Sequence, residues 1–125
     1  MEFTTLGWQG FTLEVPKSWI LVGEKGSFTH GVLQLGDGIF PRLKIKWSSS
    51  ASNLSKLTKE YESSLRKTYK NITILRKWKK CIMEHESVLF HWESIPAEGF
   101  AGIWNCDRSN RNVILEFSFR TEEFW

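Results

Sequence analysis

The sequence predicts an α+β domain: a mostly antiparallel, twisted sheet of six to eight strands, one central amphipathic helix over about 53–70, and a short or truncated C-terminal helix. Three observations carry this. Short stretches alternate at period two, most clearly where Val113, Leu115, Phe117 and Phe119 alternate with Ile114, Glu116, Ser118 and Arg120. One stretch changes period, with Leu54, Leu57, Tyr61, Leu65 and Tyr69 at helical spacing. Glycines, prolines and polar clusters separate these stretches at short intervals, as turns do.

Length and composition fit a single domain spanning 1–125. A chain of 125 residues buries roughly 65–70% of its unfolded surface, enough for a real core. Aromatic residues make up 14%, including seven Trp, so a compact core can be built from few side chains. No apolar run approaches the length of a membrane span, and the N-terminus lacks a basic head followed by an apolar stretch, so the expected compartment is the cytoplasm. Cys81 and Cys106 are too few for a disulfide scaffold and are expected as reduced structural thiols. The net charge of +3 is unevenly spread: residues 66–80 hold seven basic and no acidic side chains, whereas 81–125 hold three basic and eight acidic.

Taken in order, Glu2 to Leu6 is β-permissive, and Gly7-Trp8-Gln9-Gly10 turns the chain into a strand with Phe11, Leu13 and Val15 on one side. Pro16 has no N–H to donate and should end that strand, which is expected to belong to the same sheet as the rest, with Trp19 sealing the sheet end. Gly23 to Gly26 reads as a turn. Ser27 to Leu35 and Ile39 to Trp47 form a hairpin about Gly36-Asp37-Gly38, and on its second arm Leu43, Ile45 and Trp47 alternate with Arg42, Lys44 and Lys46. The polar run Ser48 to Asn53 offers N-caps for the helix, and Asn71 is a suitable stop. The β pattern returns over Ile72 to Met83 and Ser87 to Glu93, with Glu84-His85-Glu86 as the reversal, and Ser94 to Gly99 reads as a loop. Phe100 to Cys106 and Val113 to Arg120 follow, and Thr121 to Trp125 reads as the N-cap and acidic first turn of a helix.

The opening Phe11-x-Leu13-x-Val15-Pro16-x-x-Trp19, followed by paired strands, one central helix and an antiparallel run to 120, resembles the Mog/PsbP-like superfamily. That resemblance implies an α/β/α sandwich around a mostly antiparallel sheet. It also implies a role in binding or assembly rather than catalysis, since the superfamily includes an import factor that binds the Ran GTPase and the photosystem subunit PsbP. No functional residue of the superfamily carries over, because the matching residues bear the fold and not a partner contact.

The strongest local signal is the basic set Arg66, Lys67, Lys70, Arg76, Lys77, Lys79 and Lys80, interleaved with Tyr69 and Trp78. Cations neutralise phosphates and aromatic faces stack on bases, so nucleic acid or another polyanion is a chemically sensible partner. The competing reading is a solvated helix end and a sheet edge on which lysines discourage pairing. Cys81, His85, His91, Cys106 and Asp107 include the ligand types zinc accepts, but no Cys-x-x-Cys or His-x-x-x-His pair spaces them for a metal. Cys106 with Asp107 and His91 is the only candidate nucleophile set, and nothing beside Cys106 in sequence would lower a thiol pKa. The glycine pairs lack the Gly-Lys-Ser/Thr ending of phosphate loops. Of Trp8, Trp19, Trp47, Trp92 and Trp104 most are expected in the core, the exceptions being Trp8 and, at the end of the chain, Trp125, which are candidates for an exposed apolar surface. The expectation is therefore a non-enzymatic adaptor or assembly protein, with no cofactor and no metal, that holds a protein partner on a sheet face or in the groove beside the helix. The alternative is polyanion binding through 66–80. An exposed apolar surface would also serve a second copy of the chain.

Overall fold

The computed structural model describes residues 2–8, 11–27, 29–38, 41–49, 53–69, 71–82, 84–94, 97–106 and 111–120. Among them the chain forms β1 (Phe3–Trp8), β2 (Phe11–Pro16), β3 (Ile20–Gly26), β4 (Gly31–Gly36), β5 (Pro41–Ser49), α1 (Leu54–Thr68), β6 (Thr73–Ile82), β7 (His85–Glu93), β8 (Ala97–Cys106) and β9 (Arg111–Arg120). Seven strands make one antiparallel sheet in the order β3-β4-β5-β9-β8-β7-β6, and β1 pairs with β2 as a separate hairpin. The chain walks from one edge to β5, crosses through α1 to the far edge, and returns by successive hairpins until β9 closes against β5. The α+β class is the one the periodicities give, with seven strands in the main sheet. The expected C-terminal helix at 121–125, with Trp125, lies outside the described residues, as do Lys70 and Asp107.

Local chemistry explains the helix. Asn53 caps it, its side-chain oxygen accepting from the Lys56 N–H at 2.8 Å, and Arg66 and Lys67 occupy the last turn, where cations favour the dipole. The helix closes at Tyr69, whose N–H donates to the Leu65 carbonyl. Asn71, at φ 56, then takes the left-handed conformation that turns the chain into β6.

Four sequence expectations change. The strand ending at Pro16 does not join the main sheet; its alternation is satisfied because Val15 and Leu13 lie face-down on that sheet, burying a side-chain row without an edge. The stretch read as a turn at Gly23 to Gly26 is part of β3, which pairs with β4 through a bulge between Leu21 and Gly23. The reversal sits at Gly26, φ 112, where the Ser27 N–H donates to the His30 carbonyl at 2.7 Å. The turn before β7 is tighter than Glu84-His85-Glu86: Glu84 takes φ 68 and His85 is already opposite Ile82 in the ladder. Ala97 to Gly99 is strand, not loop, because the Ser94 N–H closes the turn on the Ala97 carbonyl and Gly99 lets β8 start against the Trp92 ring.

Two cores lie on opposite faces of the sheet. On one face α1 presses Leu57, Tyr61 and Leu65 onto Val88, Phe90 and Trp92 of β7 and Ala101 and Ile103 of β8. On the other, the β1–β2 hairpin presses Val15 onto Leu33, Leu35, Leu43, Ile45, Trp47 and Val113, with Leu13 and Trp19 packed alongside. Trp47 and Trp92 are fully buried, as their positions predict, while Trp19 and Trp104 are half-buried. The backbone of Trp8 ends β1; its side chain lies outside the described set.

Candidate functional site: an apolar groove on the sheet

The two covering elements are placed diagonally. The helix covers the β7–β8 half of one face, and the hairpin covers the β4–β5–β9 half of the other. Two quadrants are therefore left without a covering element among the described residues, and their side chains differ in kind. Beside the helix, β5 and β9 present Lys44, Lys46, Asn112 and Glu116, and these line a hollow of about 240 Å³ with Tyr61 and Tyr69. Beside the hairpin, the ladder puts Trp78 opposite Leu89, Leu89 opposite Gly102, and Gly102 opposite Leu115, with Phe100 opposite Phe117 on the same face. These residues and Trp104 floor an open groove of about 920 Å³, walled on one side by Thr12 and Leu13 of β2.

The floor is flat and wide because Gly102 carries no side chain at its centre; a Cβ there would sit 3.3 Å from Leu89 Cδ2. Phe100 is 39% exposed, unusual for a mid-strand phenylalanine. Its ring is held in place by His91, stacked at 4.2 Å between centroids and 9° between planes, and His91 Nε2 in turn meets Glu98 Oε1 at 2.5 Å. At the other end His85 faces Trp104 at 6.4 Å, and Cys106, Arg111 and Glu84 give the rim its polar groups. Burial draws the Arg111 guanidinium below its ordinary value. The site can desolvate an apolar ligand and orient it by a polar rim.

The hollow beside the helix has different chemistry. The Tyr61 hydroxyl donates to Glu116 Oε2 at 2.5 Å. Burial first, then the Glu116 charge and that hydrogen bond, hold the Tyr61 phenol far above its ordinary value. Tyr69 is raised as well, again mainly by burial. This pair anchors the helix to β9. The hollow is small and its rim is solvated by Lys44 and Lys46, both exposed.

The basic set of 66–80 is divided between elements. Arg66 and Lys67 end α1, whereas Arg76, Lys77, Lys79 and Lys80 lie on β6, the sheet's edge strand, and all are exposed. Trp78 is half-buried in the groove floor, with the Arg76 guanidinium 4.2 Å above its ring. The metal-type residues are not brought together. Cys81, opposite Glu86, falls on the helix side of β6, whereas the ladder places His85, His91 and Cys106 on the groove side. Among the described residues no group of three or more His, Cys, Asp or Glu side chains could hold a metal. His91 lies opposite Phe100, six residues from Cys106 along β8, so the two are roughly 20 Å apart and make no nucleophile–base pair. Neither cysteine is in a disulfide, Cys81 being exposed and Cys106 half-buried. Among the described residues no helix is long and apolar enough to cross a membrane.

Sequence reasoning missed Leu89, Phe100, Gly102, Leu115 and Phe117 as site residues. The available signal was continuity: Val88-Leu89-Phe90 and Phe100 to Trp104 are apolar on both faces, the pattern of a strand covered twice.

No protein-family model matches the chain, and no curated protein matches it by sequence. Among solved structures it is similar to PA94 from Pseudomonas aeruginosa, a protein of unknown function, with a TM-score of 0.57 at 10% identity over 99% of this chain and 87% of that one. At that identity the likeness is one of fold alone.

Proposed function

We propose that the chain is a non-enzymatic binding module that holds an apolar segment of a protein partner in the groove between the β1–β2 hairpin and the sheet. The observation that carries this reading is the groove itself: about 920 Å³, floored by Trp78, Leu89, Phe100, Trp104, Leu115 and Phe117, open to solvent along a face whose other half is core. Fully burying an exposed large apolar side chain is worth about 1.5–3 kcal/mol, and a partner that covers these half-exposed side chains recovers a fraction of that for each. The Phe-x-Leu-x-Val-Pro-x-x-Trp opening supports the same reading, because Mog/PsbP-like proteins bind and assemble partners; on this view the chain is a variant of that sandwich.

Leu89→Glu combined with Phe100→Glu puts two carboxylates on the groove floor without touching either core. Proteins that co-purify with the wild-type chain from cells of its source are expected to be lost from this variant, while its thermal unfolding stays cooperative. Retention of the same proteins by the folded variant would rule out the groove as the binding face.

A further inference from the structure

The edge strand β6 has a second property that the groove does not use. From Arg76 to Ile82 its register against β7 runs without a shift, and it is the last strand of the sheet, so its outer backbone edge pairs with no other strand among the described residues. Along this edge the sequence reads Arg76-Lys77-Trp78-Lys79-Lys80, two cations on each side of a tryptophan. The ladder partners of the four cations are His91, Phe90, Val88 and Ser87, none of them a carboxylate. Lys77 reaches Glu62 of α1 at 3.9 Å, and both side chains remain well solvated. Among the described residues no ion pair engages Arg76, Lys79 or Lys80.

We propose that β6 accepts an acidic polypeptide segment as an added strand. The alternation of the cations selects this partner. Arg76 and Lys80 share the groove face with Trp78, whereas Lys77 and Lys79 share the helix face, where Lys77 lies 5.5 Å over the Phe90 ring. A nucleic-acid backbone laid across one face meets only two of these cations, and Arg76 and Lys80 are roughly 13 Å apart along the strand. A strand hydrogen-bonded to the outer edge places a side chain opposite every β6 residue, on the matching face, at about 5 Å. The complement of β6 is thus acidic-acidic-apolar-acidic-acidic, the apolar residue lying opposite Trp78. The same charges repel a second copy of β6, which is how edge lysines prevent self-pairing. The other edge, β3, is bulged at Leu21/Gly23 and carries one Glu and one Lys, so it has no such complement.

The test uses the intact chain and a fluorescein-labelled, end-capped peptide with two glutamates on either side of a valine, flanked by threonines. Two controls keep the length: one has the glutamates replaced by lysine, and one keeps all four glutamates but is N-methylated at each residue of Glu-Glu-Val-Glu-Glu, so that, like proline, none of the five can donate to a ladder. A single-stranded oligonucleotide of equal charge is the third probe. Anisotropy is expected to show binding of the glutamate peptide at least tenfold tighter than of either control. Amide hydrogen exchange is expected to slow across Arg76 to Ile82. Lys79→Glu with Lys80→Glu, both exposed positions, should abolish the preference for the glutamate over the lysine peptide, because Arg76 and Lys77 then balance the two new carboxylates. Equal binding of the N-methylated peptide, or tighter binding of the oligonucleotide without amide protection, would show a polyanion surface and overturn strand addition. So would failure of the glutamate peptide to bind the wild-type chain.

Discussion

The two faces of the seven-stranded sheet are built from the same strands and meet opposite fates. On the helix face, Phe90, Trp92 and Ile103 are fully buried under an element whose apolar stripe is broad enough to seal β7 and β8. On the hairpin face the neighbouring positions, Leu89, Phe100 and Trp104, are as apolar but remain partly exposed, because among the described residues the hairpin reaches over β4, β5 and β9 and not over β7. The difference teaches where apolar character serves stability and where it is available for recognition. The open half of the helix face, with Lys44 and Lys46, shows that an uncovered quadrant of this sheet is ordinarily polar. The aromatic quadrant departs from that rule.

The most forceful way to break the comparison is to truncate one phenylalanine on each face. Phe90→Ala removes a fully buried ring and is expected to cost about 3–5 kcal/mol of unfolding free energy. Phe100→Ala removes a ring already 39% exposed and is expected to cost about 1 kcal/mol or less. Urea titration of both variants checks this. If the two costs were equal, the groove floor would be core and the distinction would fail.

A finer contrast uses two glycines of β8. A Cβ at Gly99 would lie 2.2 Å from Cζ2 of the fully buried Trp92 ring. Gly99→Ala should therefore cost about 1–3 kcal/mol through overpacking. At Gly102 the nearest atom, Leu89 Cδ2, is at 3.3 Å and belongs to a side chain that can yield toward the groove. Gly102→Ala should change the unfolding midpoint little while narrowing the groove floor. Calorimetric midpoints separate the two cases.

Particular residues show how far the chain could be read without coordinates. The helix was legible because Leu57, Tyr61 and Leu65 recur at its period and Asn53 caps it. Strand β9 was legible because both of its faces are used, Val113 toward the hairpin and Ile114 toward the helix. Strand β3 was not, because Gly23 and Gly26 carry the composition of a turn although only Gly26 makes one. The groove was illegible for a further reason. Period two says that Phe100 and Leu89 share a face with their neighbours, but whether that face is covered depends on where a hairpin far away in sequence comes to rest. The separate lodging of β2 is a packing outcome that alternation at Phe11, Leu13 and Val15 does not specify. The charge run was legible as composition, but its division between a helix end and an edge strand was not.

A last contrast concerns the polar side of the comparison, where the helix is tied to β9 by Tyr61 and Glu116. Tyr61→Phe removes the hydroxyl that Glu116 accepts from and should cost about 1 kcal/mol at neutral pH. The pH dependence carries more information than that size. An unfolded phenol loses its proton near pH 10, whereas in the folded chain burial and the Glu116 charge keep Tyr61 protonated well beyond that. Its contribution is thus fully present below about pH 10 and is lost as pH rises toward the folded value, because the unfolded state alone releases the proton. Tyr69, raised in the same direction, adds to the slope in both proteins. The stability gap between wild type and Tyr61→Phe should therefore narrow above about pH 10, as read by denaturant midpoints across the alkaline range. A gap that stayed constant would mean that the phenol is not desolvated, and that the helix side of the sheet is less closed than the groove side requires for the contrast to hold.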